Sequence, residues 1–169
     1  MVKVYPDGVL TPQLDALRLG QTLEVSEPLG AFRRPPEELR QLVMLAAGTG
    51  LTPMVRLTQR TLAAAPSAAV RLLFFNRRER DVLWREQLER LAQREPRFQL
   101  QLVLSEPDEG WQGRSGRVSA GIVQEALPGS DARSGLLVTV CGPSAFSAEC
   151  ARLLAEQGVA AGQVHVFDG

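Results

Sequence analysis

The chain has 169 residues, of which 44% are apolar and 22% are charged, and this is enough for one complete domain with a hydrophobic core. Its 19 basic and 19 acidic residues balance, which argues against a general nucleic-acid or membrane-surface binder, because such proteins carry an excess of basic charge. Two cysteines, Cys141 and Cys150, cannot make a disulfide scaffold, and one histidine, His165, argues against a zinc site, so we expect no metal. No apolar run approaches the roughly 18 residues of a membrane-spanning helix, so we expect no membrane span.

Residues 1–33 have the character of a β domain. Val2–Tyr5 and Thr22–Val25 are predicted strands, and turn-forming residues such as Gly8 and Thr11 lie between them. A segment with so few strands is too small to fold alone. We therefore interpret 1–33 as the last piece of a β domain, followed by a complete domain over residues 34–169.

The second domain alternates apolar runs with helical patterns. Buried strands are predicted at Leu42–Ala47, Val70–Phe75, Phe98–Leu104, Leu136–Cys141 and Gln163–Phe167. Helices are predicted over residues 52–65, 84–92, 119–127 and 146–154, the last with Gly158 as its stop. Continuous apolar strands that alternate with helices are typical of an α/β fold. We predict a five-stranded parallel sheet with helices on both faces.

The first strand of this sheet leads into a glycine-containing turn. Gly48, Thr49 and Gly50 follow the strand directly, with Thr52 as the predicted N-cap and Pro53 as the first residue of the next helix. Free N–H groups at such a helix start favour an anion such as a pyrophosphate. An ordinary strand-to-helix turn explains the same residues, and Pro53 stands where the usual dinucleotide fingerprint has its third glycine.

Two other strand ends carry polar or small residues. The fourth strand ends in Cys141, Gly142 and Pro143. Cys141 is either a small buried hydrophobic side chain or a thiol that faces a ligand. Gly142 is expected to leave room for a flat ligand, and Pro143 is expected to start a helix. Asn76 to Asp81 follow the second strand. Asp81 is either a ribose-binding acid or the N-cap of the next helix.

The convergence of these strand ends favours a ligand site. Arg77 and Arg78 follow the second strand and are suited to a 2′-phosphate. Ser105–Pro107 end the third strand, and Trp111–Gly116 is a predicted glycine-rich loop at the same edge. Because the carboxyl ends of parallel strands share one edge of the sheet, these residues are expected to line one crevice.

Together, Gly48–Met54 and Cys141–Pro143 resemble the cytochrome b5 reductase family of the ferredoxin-reductase superfamily. The runs Phe74–Glu89 and Leu102–Gly113 are most similar to the branch of that family in which a cytochrome b5 domain is fused upstream of the reductase. The resemblance covers essentially the whole chain.

This resemblance implies a ferredoxin-reductase-like nucleotide-binding domain whose ligand is NADH, or alternatively NADPH. The residues that would bind the nucleotide are Gly48, Thr49, Gly50, Pro53, Asn76, Arg77, Asp81, Gly142 and Pro143. Thr52 would lie between nucleotide and flavin, and Cys141 would lie near the path of the hydride; we take these two as the catalytic residues. Gly8, Leu10 and Thr11 would match the segment that contacts the FAD pyrophosphate.

The resemblance also implies a domain division and a function. Residues 1–33 would be the C-terminal fragment of an FAD-binding barrel, and 34–169 would be the NAD(P)H-binding domain of an oxidoreductase that passes a hydride to FAD and electrons onward to haem. The intact protein would be a monomer with a cytochrome b5 haem domain fused upstream, in the cytoplasm or associated with the endoplasmic reticulum. The family's Arg-x-Tyr flavin motif does not occur in this sequence, so the alternative is a non-catalytic nucleotide-binding module, and we expect the chain alone to be inactive.

Overall fold

The computed structural model describes residues 3–4, 7–27, 32 and 39–167. The chain divides into two compact units, residues 1–33 and 34–169. We describe each unit by itself. The origin of the first unit in a flavin-binding barrel stays a prediction.

In the described residues of the first unit there is one short helix, α1, over Thr11–Asp15. Thr22–Val25 does not form the predicted strand, and the prediction of Val2–Tyr5 falls partly outside the described residues. A strand exists only where a neighbouring strand pairs with its backbone, and the described part of this unit offers Thr22–Val25 no such neighbour. Its apolar side chains are correspondingly exposed, Val9 and Val25 among them.

The second unit is built around one parallel sheet of six strands. The strands are β1 Gln41–Ala47, β2 Ala69–Asn76, β3 Phe98–Leu104, β4 Arg114–Ser115, β5 Leu136–Cys141 and β6 Val164–Val166. Their order across the sheet is β4-β3-β2-β1-β5-β6, and every neighbouring pair is parallel. The predicted α/β fold is confirmed, and the five predicted strands are all present. The sheet has one strand more than predicted. This additional strand, β4, lies inside the segment predicted as a glycine-rich loop and pairs with Val103 and Leu104 of β3.

Helices cover both faces of this sheet. They are α2 Leu51–Ala64, α3 Arg85–Arg94, α4 Ala120–Ala126 and α5 Ser144–Glu156. Successive side chains of a strand point to opposite faces. Met44 of β1 therefore meets α2, where it accepts a hydrogen bond from Thr58 at 3.7 Å, while Val43 and Leu45 pack in a core with side chains of α4 and α5.

The strand order changes direction at β1. The chain passes from β1 to β2 and β3 on one side, and then returns to place β5 on the other side of β1. In the register, Ala46 near the end of β1 lies opposite Cys141 at the end of β5. In open α/β sheets, ligands bind in the crevice outside the carboxyl ends of strands at such a reversal. The fold thus brings the turns after β1 and β5 together.

Candidate functional site

The turn after β1 is a single 3-10 turn, Gly48–Gly50, that leads directly into α2. Gly48 has a φ of +53°, a left-handed conformation that favours glycine. Gly50 has an ordinary φ, but a Cβ there would lie 2.1 Å from the carbonyl oxygen of Cys141 and 2.9 Å from the amide nitrogen of Gly142. The missing side chain at Gly50 therefore lets the two turns touch through their backbones.

The start of α2 differs in detail from the prediction. The helix begins at Leu51 and its N-cap residue is Gly50, so the prediction of Thr52 as N-cap is wrong. Thr52 lies in the first turn and is exposed, and its hydroxyl donates a hydrogen bond to the carbonyl oxygen of Thr49 at 3.1 Å. Pro53 is the third helical residue instead of the first, still within the turn whose N–H groups have no partner inside the helix.

Cys141 is the last residue of β5, and its backbone carbonyl lies directly against Gly50. Cys141 is only 9% exposed, and this burial raises the pKa of its thiol above the ordinary value. Cys141 is therefore a neutral thiol at neutral pH. Its burial agrees with the alternative of a small buried side chain, and a thiol that faces a ligand stays a prediction.

Close packing also explains Gly142. A Cβ at Gly142 would lie 2.7 Å from Cδ1 of Phe146 and 2.9 Å from the Cβ of Ala47. Pro143 is the cap residue that precedes α5 instead of its first residue, and its carbonyl oxygen accepts a hydrogen bond from the amide of Ser147 at 3.0 Å. Phe146 was predicted only as an apolar position of the helix over residues 146–154, and its ring covers this turn from within α5.

A buried polar side chain lies at the end of β2. Asn76 is 9% exposed, and its Nδ2 has no hydrogen-bond partner among the described residues. The backbone carbonyl oxygen of Asn76 accepts a hydrogen bond from the backbone amide of Ser105 at 3.0 Å, which extends the pairing of β2 with the chain after β3. A buried amide without a partner costs roughly 1–3 kcal/mol, and a ligand that offers an acceptor offsets this cost.

The arginines after β2 are paired with Glu106, which lies in the segment Ser105–Pro107 predicted at this edge but was assigned no role. The Nε of Arg77 donates to Oε2 of Glu106 at 2.8 Å, and a terminal nitrogen of Arg78 lies 3.5 Å from the same oxygen. The hydrogen bond and the charge of Arg77 lower the pKa of the Glu106 carboxyl, while Glu106 raises the pKa of Arg77. Both partners are therefore charged at neutral pH.

Asp81 belongs to a separate 3-10 turn, Glu79–Asp81, between β2 and α3. Its Oδ2 accepts a hydrogen bond from the amide of Arg78 at 3.1 Å. Helix α3 begins at Arg85 and its cap residue is Trp84, so the alternative that Asp81 caps that helix is wrong. Asp81 instead caps its own turn, and its side chain is exposed.

Comparisons with known proteins agree with this geometry. Residues 44–152 match the family described as "Oxidoreductase NAD-binding domain". Cytochrome b5 reductase 4 of Danio rerio is 45% identical over 171 residues, which cover 99% of this chain and 32% of the relative, and the human protein of that name is 40% identical over 169 residues, with the same coverage. The solved CS-b5R domains of human Ncb5or, in an NAD⁺ form, give a TM-score of 0.92 at 40% identity over 99% of this chain and 48% of that chain.

A second solved structure decides the family. The cytochrome b5 reductase domain of Ulva prolifera nitrate reductase gives a TM-score of 0.83 at 30% identity, over 97% of this chain and 69% of that chain. The chain belongs to the oxidoreductase NAD-binding domains, in their cytochrome b5 reductase branch. It spans about a third of the length of the first curated relatives that it matches.

The loop between β3 and β4 carries an aromatic side chain, Trp111. Trp111 donates its indole N–H to the carbonyl oxygen of Arg114 at 3.0 Å, and a Cβ on Gly113 would lie 2.3 Å from its ring. The guanidinium of Arg85 lies 5.9 Å from the centre of that ring, within the range of a cation–π contact. The loop between β3 and β4 is thereby tied to the start of α3.

The predicted FAD-contacting residues lie in the other unit. Gly8 and Leu10 precede α1, and Thr11 is its first residue. Their role at a flavin stays a prediction. Among the residues that the structure describes, no group of three or more metal-binding side chains occurs and no helix is long and apolar enough to span a membrane.

Proposed function

We propose that residues 34–169 bind a pyridine dinucleotide along the carboxyl edge of β1, β5 and β2, and present its nicotinamide to FAD in a cytochrome b5 reductase-type oxidoreductase. The observation that carries this proposal is the backbone contact between Gly50 and Cys141 at the reversal of strand order. The contact brings the start of α2, with its free N–H groups, beside Cys141 at the end of β5. The family match over residues 44–152 supports the same ligand.

The pyrophosphate fits the start of α2. Gly48, Thr49 and Gly50 form the turn, and the first-turn N–H groups of a 14-residue helix favour a negative charge. Pro53 lacks an N–H, but it stands in a turn that offers several others. These residues hold the centre of the dinucleotide, and its two ends extend toward β5 and β2.

The nicotinamide end is assigned to Cys141, Gly142 and Pro143, with Thr52 toward the flavin. The dinucleotide, when bound, supplies the hydride that reduces FAD. The protein residues orient the ring and exclude water. Cys141 contributes a neutral thiol because burial raises its pKa, so no negative charge opposes the ring from this side. Gly142 packs directly against Ala47 and Phe146, so its backbone lies close to the end of β1.

The adenosine end is assigned to Asn76 and Asp81. The unpartnered Nδ2 of Asn76 marks a buried polar position at the end of β2. The exposed carboxylate of Asp81 is suited to accept a hydrogen bond from the ribose 2′-hydroxyl of NADH and to repel the 2′-phosphate of NADPH. Arg77 opposes this preference only weakly, because it is already paired with Glu106. We therefore propose NADH as the preferred nucleotide, with NADPH bound more weakly.

The partners of the site are proposed from the family resemblance. FAD would contact Gly8, Leu10 and Thr11, and electrons would pass from it to a cytochrome b5 haem domain fused upstream, in a protein that acts as a monomer. The name of the relatives, cytochrome b5 reductase 4, supports cytochrome b5 as the electron acceptor. The second candidate, a nucleotide-binding module without catalysis, is favoured only by the lack of the Arg-x-Tyr flavin motif in these 169 residues.

The nucleotide assignment is tested by the dissociation constants of NADH and NADPH, measured by calorimetry for the wild type, Asp81→Ala and Asp81→Asn at one ionic strength. We expect the wild type to prefer NADH by about tenfold, or about 1.4 kcal/mol. Asp81→Asn retains an oxygen to cap the turn but removes the charge, so it should lose most of that preference, as should Asp81→Ala. An unchanged ratio in both variants would show that Asp81 only caps its turn.

A further inference from the structure

We propose that Glu106 is a specificity-determining residue of this site, which disfavours NADPH by holding Arg77 and Arg78 away from the 2′-phosphate. The role rests on the dinucleotide site proposed above. Glu106 does not contact the nucleotide in this scheme. It acts through the two arginines, and is therefore a positioning residue.

The position of Glu106 is fixed by the backbone. Beyond the ends of β2 and β3 the parallel pairing continues, with the amide of Ser105 donating to the carbonyl of Asn76 at 3.0 Å and the amide of Glu106 donating to that of Arg77 at 2.8 Å. Glu106 and Arg77 are therefore neighbours just beyond the ends of β3 and β2. The carboxylate is held beside the arginines before any ligand arrives.

The side chains make a forked contact at this point. Oε2 of Glu106 accepts a hydrogen bond from Nε of Arg77 at 2.8 Å and lies 3.5 Å from a terminal nitrogen of Arg78. The hydrogen bond from Arg77 lowers the pKa of the carboxyl, so Glu106 is ionised at neutral pH. One carboxylate therefore engages the first two of the three arginines that follow β2.

The charges around the adenosine end then cancel. The two positive charges of Arg77 and Arg78 are matched by the two negative charges of Glu106 and Asp81, and Arg80 and Glu79 of the same loop add one charge of each sign. A dianionic 2′-phosphate gains little from this set, because either arginine must leave Glu106 to pair with it and both carboxylates repel it. The 2′-hydroxyl of NADH is neutral, so its binding does not depend on whether the arginines are paired with Glu106. Removing the charge of Glu106 frees the arginines and leaves a net positive charge.

The size of the effect is limited by solvent. The side chains of Arg77 and Glu106 are 67% and 44% exposed, so water and salt weaken their attraction. Freeing such a pair is expected to tighten NADPH binding by about three- to fivefold at low salt. The gain should shrink as the ionic strength rises, because the charges are screened.

The test is a calorimetric titration of NADH and NADPH into the wild type, Glu106→Gln and Glu109→Gln at low ionic strength. Glu109 is the matched control, since it lies on the same exposed segment and its substitution removes the same charge. We expect Glu106→Gln to bind NADPH about three- to fivefold more tightly and NADH within about twofold of the wild type. Glu109→Gln should bind both nucleotides like the wild type.

A double variant identifies the residue that takes the phosphate. In Glu106→Gln combined with Arg77→Ala, the gain in NADPH affinity should largely disappear. Glu106→Gln with unchanged NADPH affinity, or with both nucleotides shifted equally, would overturn the role of Glu106 while leaving the dinucleotide site intact. An equal gain in Glu109→Gln would also overturn it, by showing a general charge effect. A folded wild type that binds neither nucleotide would overturn the proposed function itself.

Discussion

At the scale of single residues, the two glycines of the turn after β1 serve different physical needs. Gly48 adopts a φ of +53°, and a Cβ there would meet nothing within 4 Å. Gly50 adopts an ordinary φ, but a Cβ there would collide with the backbone of Cys141. Gly48 therefore allows a left-handed backbone conformation, and Gly50 allows the ends of β1 and β5 to approach each other.

These two glycines provide a matched pair of substitutions. Gly48→Ala should cost about 1–2 kcal/mol of stability, the ordinary strain of a left-handed alanine. Gly50→Ala should cost about 3 kcal/mol or more, since a backbone carbonyl cannot move aside as a flexible side chain can. Chemical denaturation measures both free energies of unfolding. Equal losses in the two variants would contradict the close approach of the turns.

At the scale of elements, α5 packs onto the sheet through a buried cysteine. Cys150 is fully buried, and it lies in the same core as Leu153, Leu154 and the sheet residues Val138 and Val140. Burial, with a smaller contribution from the charge of Glu149, raises the pKa of this thiol from 9.0 to about 12. The packing of α5 therefore requires the protonated thiol.

This burial makes stability depend on pH in the alkaline range. The folded pKa lies above the unfolded one, so the stabilisation is complete below pH 9 and is lost as the pH rises toward 12. Between pH 8 and pH 10 the wild type should lose about 1.4 kcal/mol more than Cys150→Ala, which lacks the thiol. Urea denaturation of both proteins at the two pH values measures this difference. Parallel losses would contradict the burial of a protonated thiol.

The regular elements were predictable because their signals are local. Apolar runs such as Leu136–Cys141 identify buried strands without any knowledge of their neighbours. β4 was missed because its two residues, Arg114 and Ser115, carry no periodic pattern. The wrong strand at Thr22–Val25 shows the opposite failure, because alternation in the sequence does not supply the neighbouring strand that pairing requires.

The candidate site was predictable in its residue types and not in its contacts. Glycines at 48, 50 and 142 were identified from turn chemistry, but the collision partners of Gly50 and Gly142 depend on how β1 lies beside β5. The pairing of Arg77 with Glu106 depends in the same way on the register of β2 with β3. Such long-range geometry leaves no local pattern in a single sequence.

At the scale of the whole molecule, the chain holds a NAD-binding domain and a small first unit. Residues 7–27 of that first unit expose several large apolar side chains, including Val9, Leu19 and Val25. The Arg-x-Tyr flavin motif does not occur in the 169 residues. We expect these residues to hold FAD too weakly to retain it.

The flavin expectation has a direct readout. The purified chain should be colourless, without an absorbance band near 450 nm, and NADH should not drive the reduction of an added electron acceptor. The reason is that the family resemblance assigns only Gly8, Leu10 and Thr11 to the FAD pyrophosphate, and places Thr52 alone between nucleotide and flavin. Absorbance spectroscopy after gel filtration measures the bound flavin. A yellow protein with one FAD per chain would contradict this expectation.

The central claim is that NADH binds where the turns after β1 and β5 meet. An NMR titration of the ¹⁵N-labelled protein with NADH tests it most directly, since a chain of 18.4 kDa gives resolved amide signals. We expect saturable shifts at one equivalent, concentrated at Gly48, Thr49, Gly50, Cys141 and Gly142, with a second group around Asn76. No shifts at these amides under saturating NADH, or shifts confined to the opposite edge of the sheet around Gln41 and Gln99, would contradict the claim.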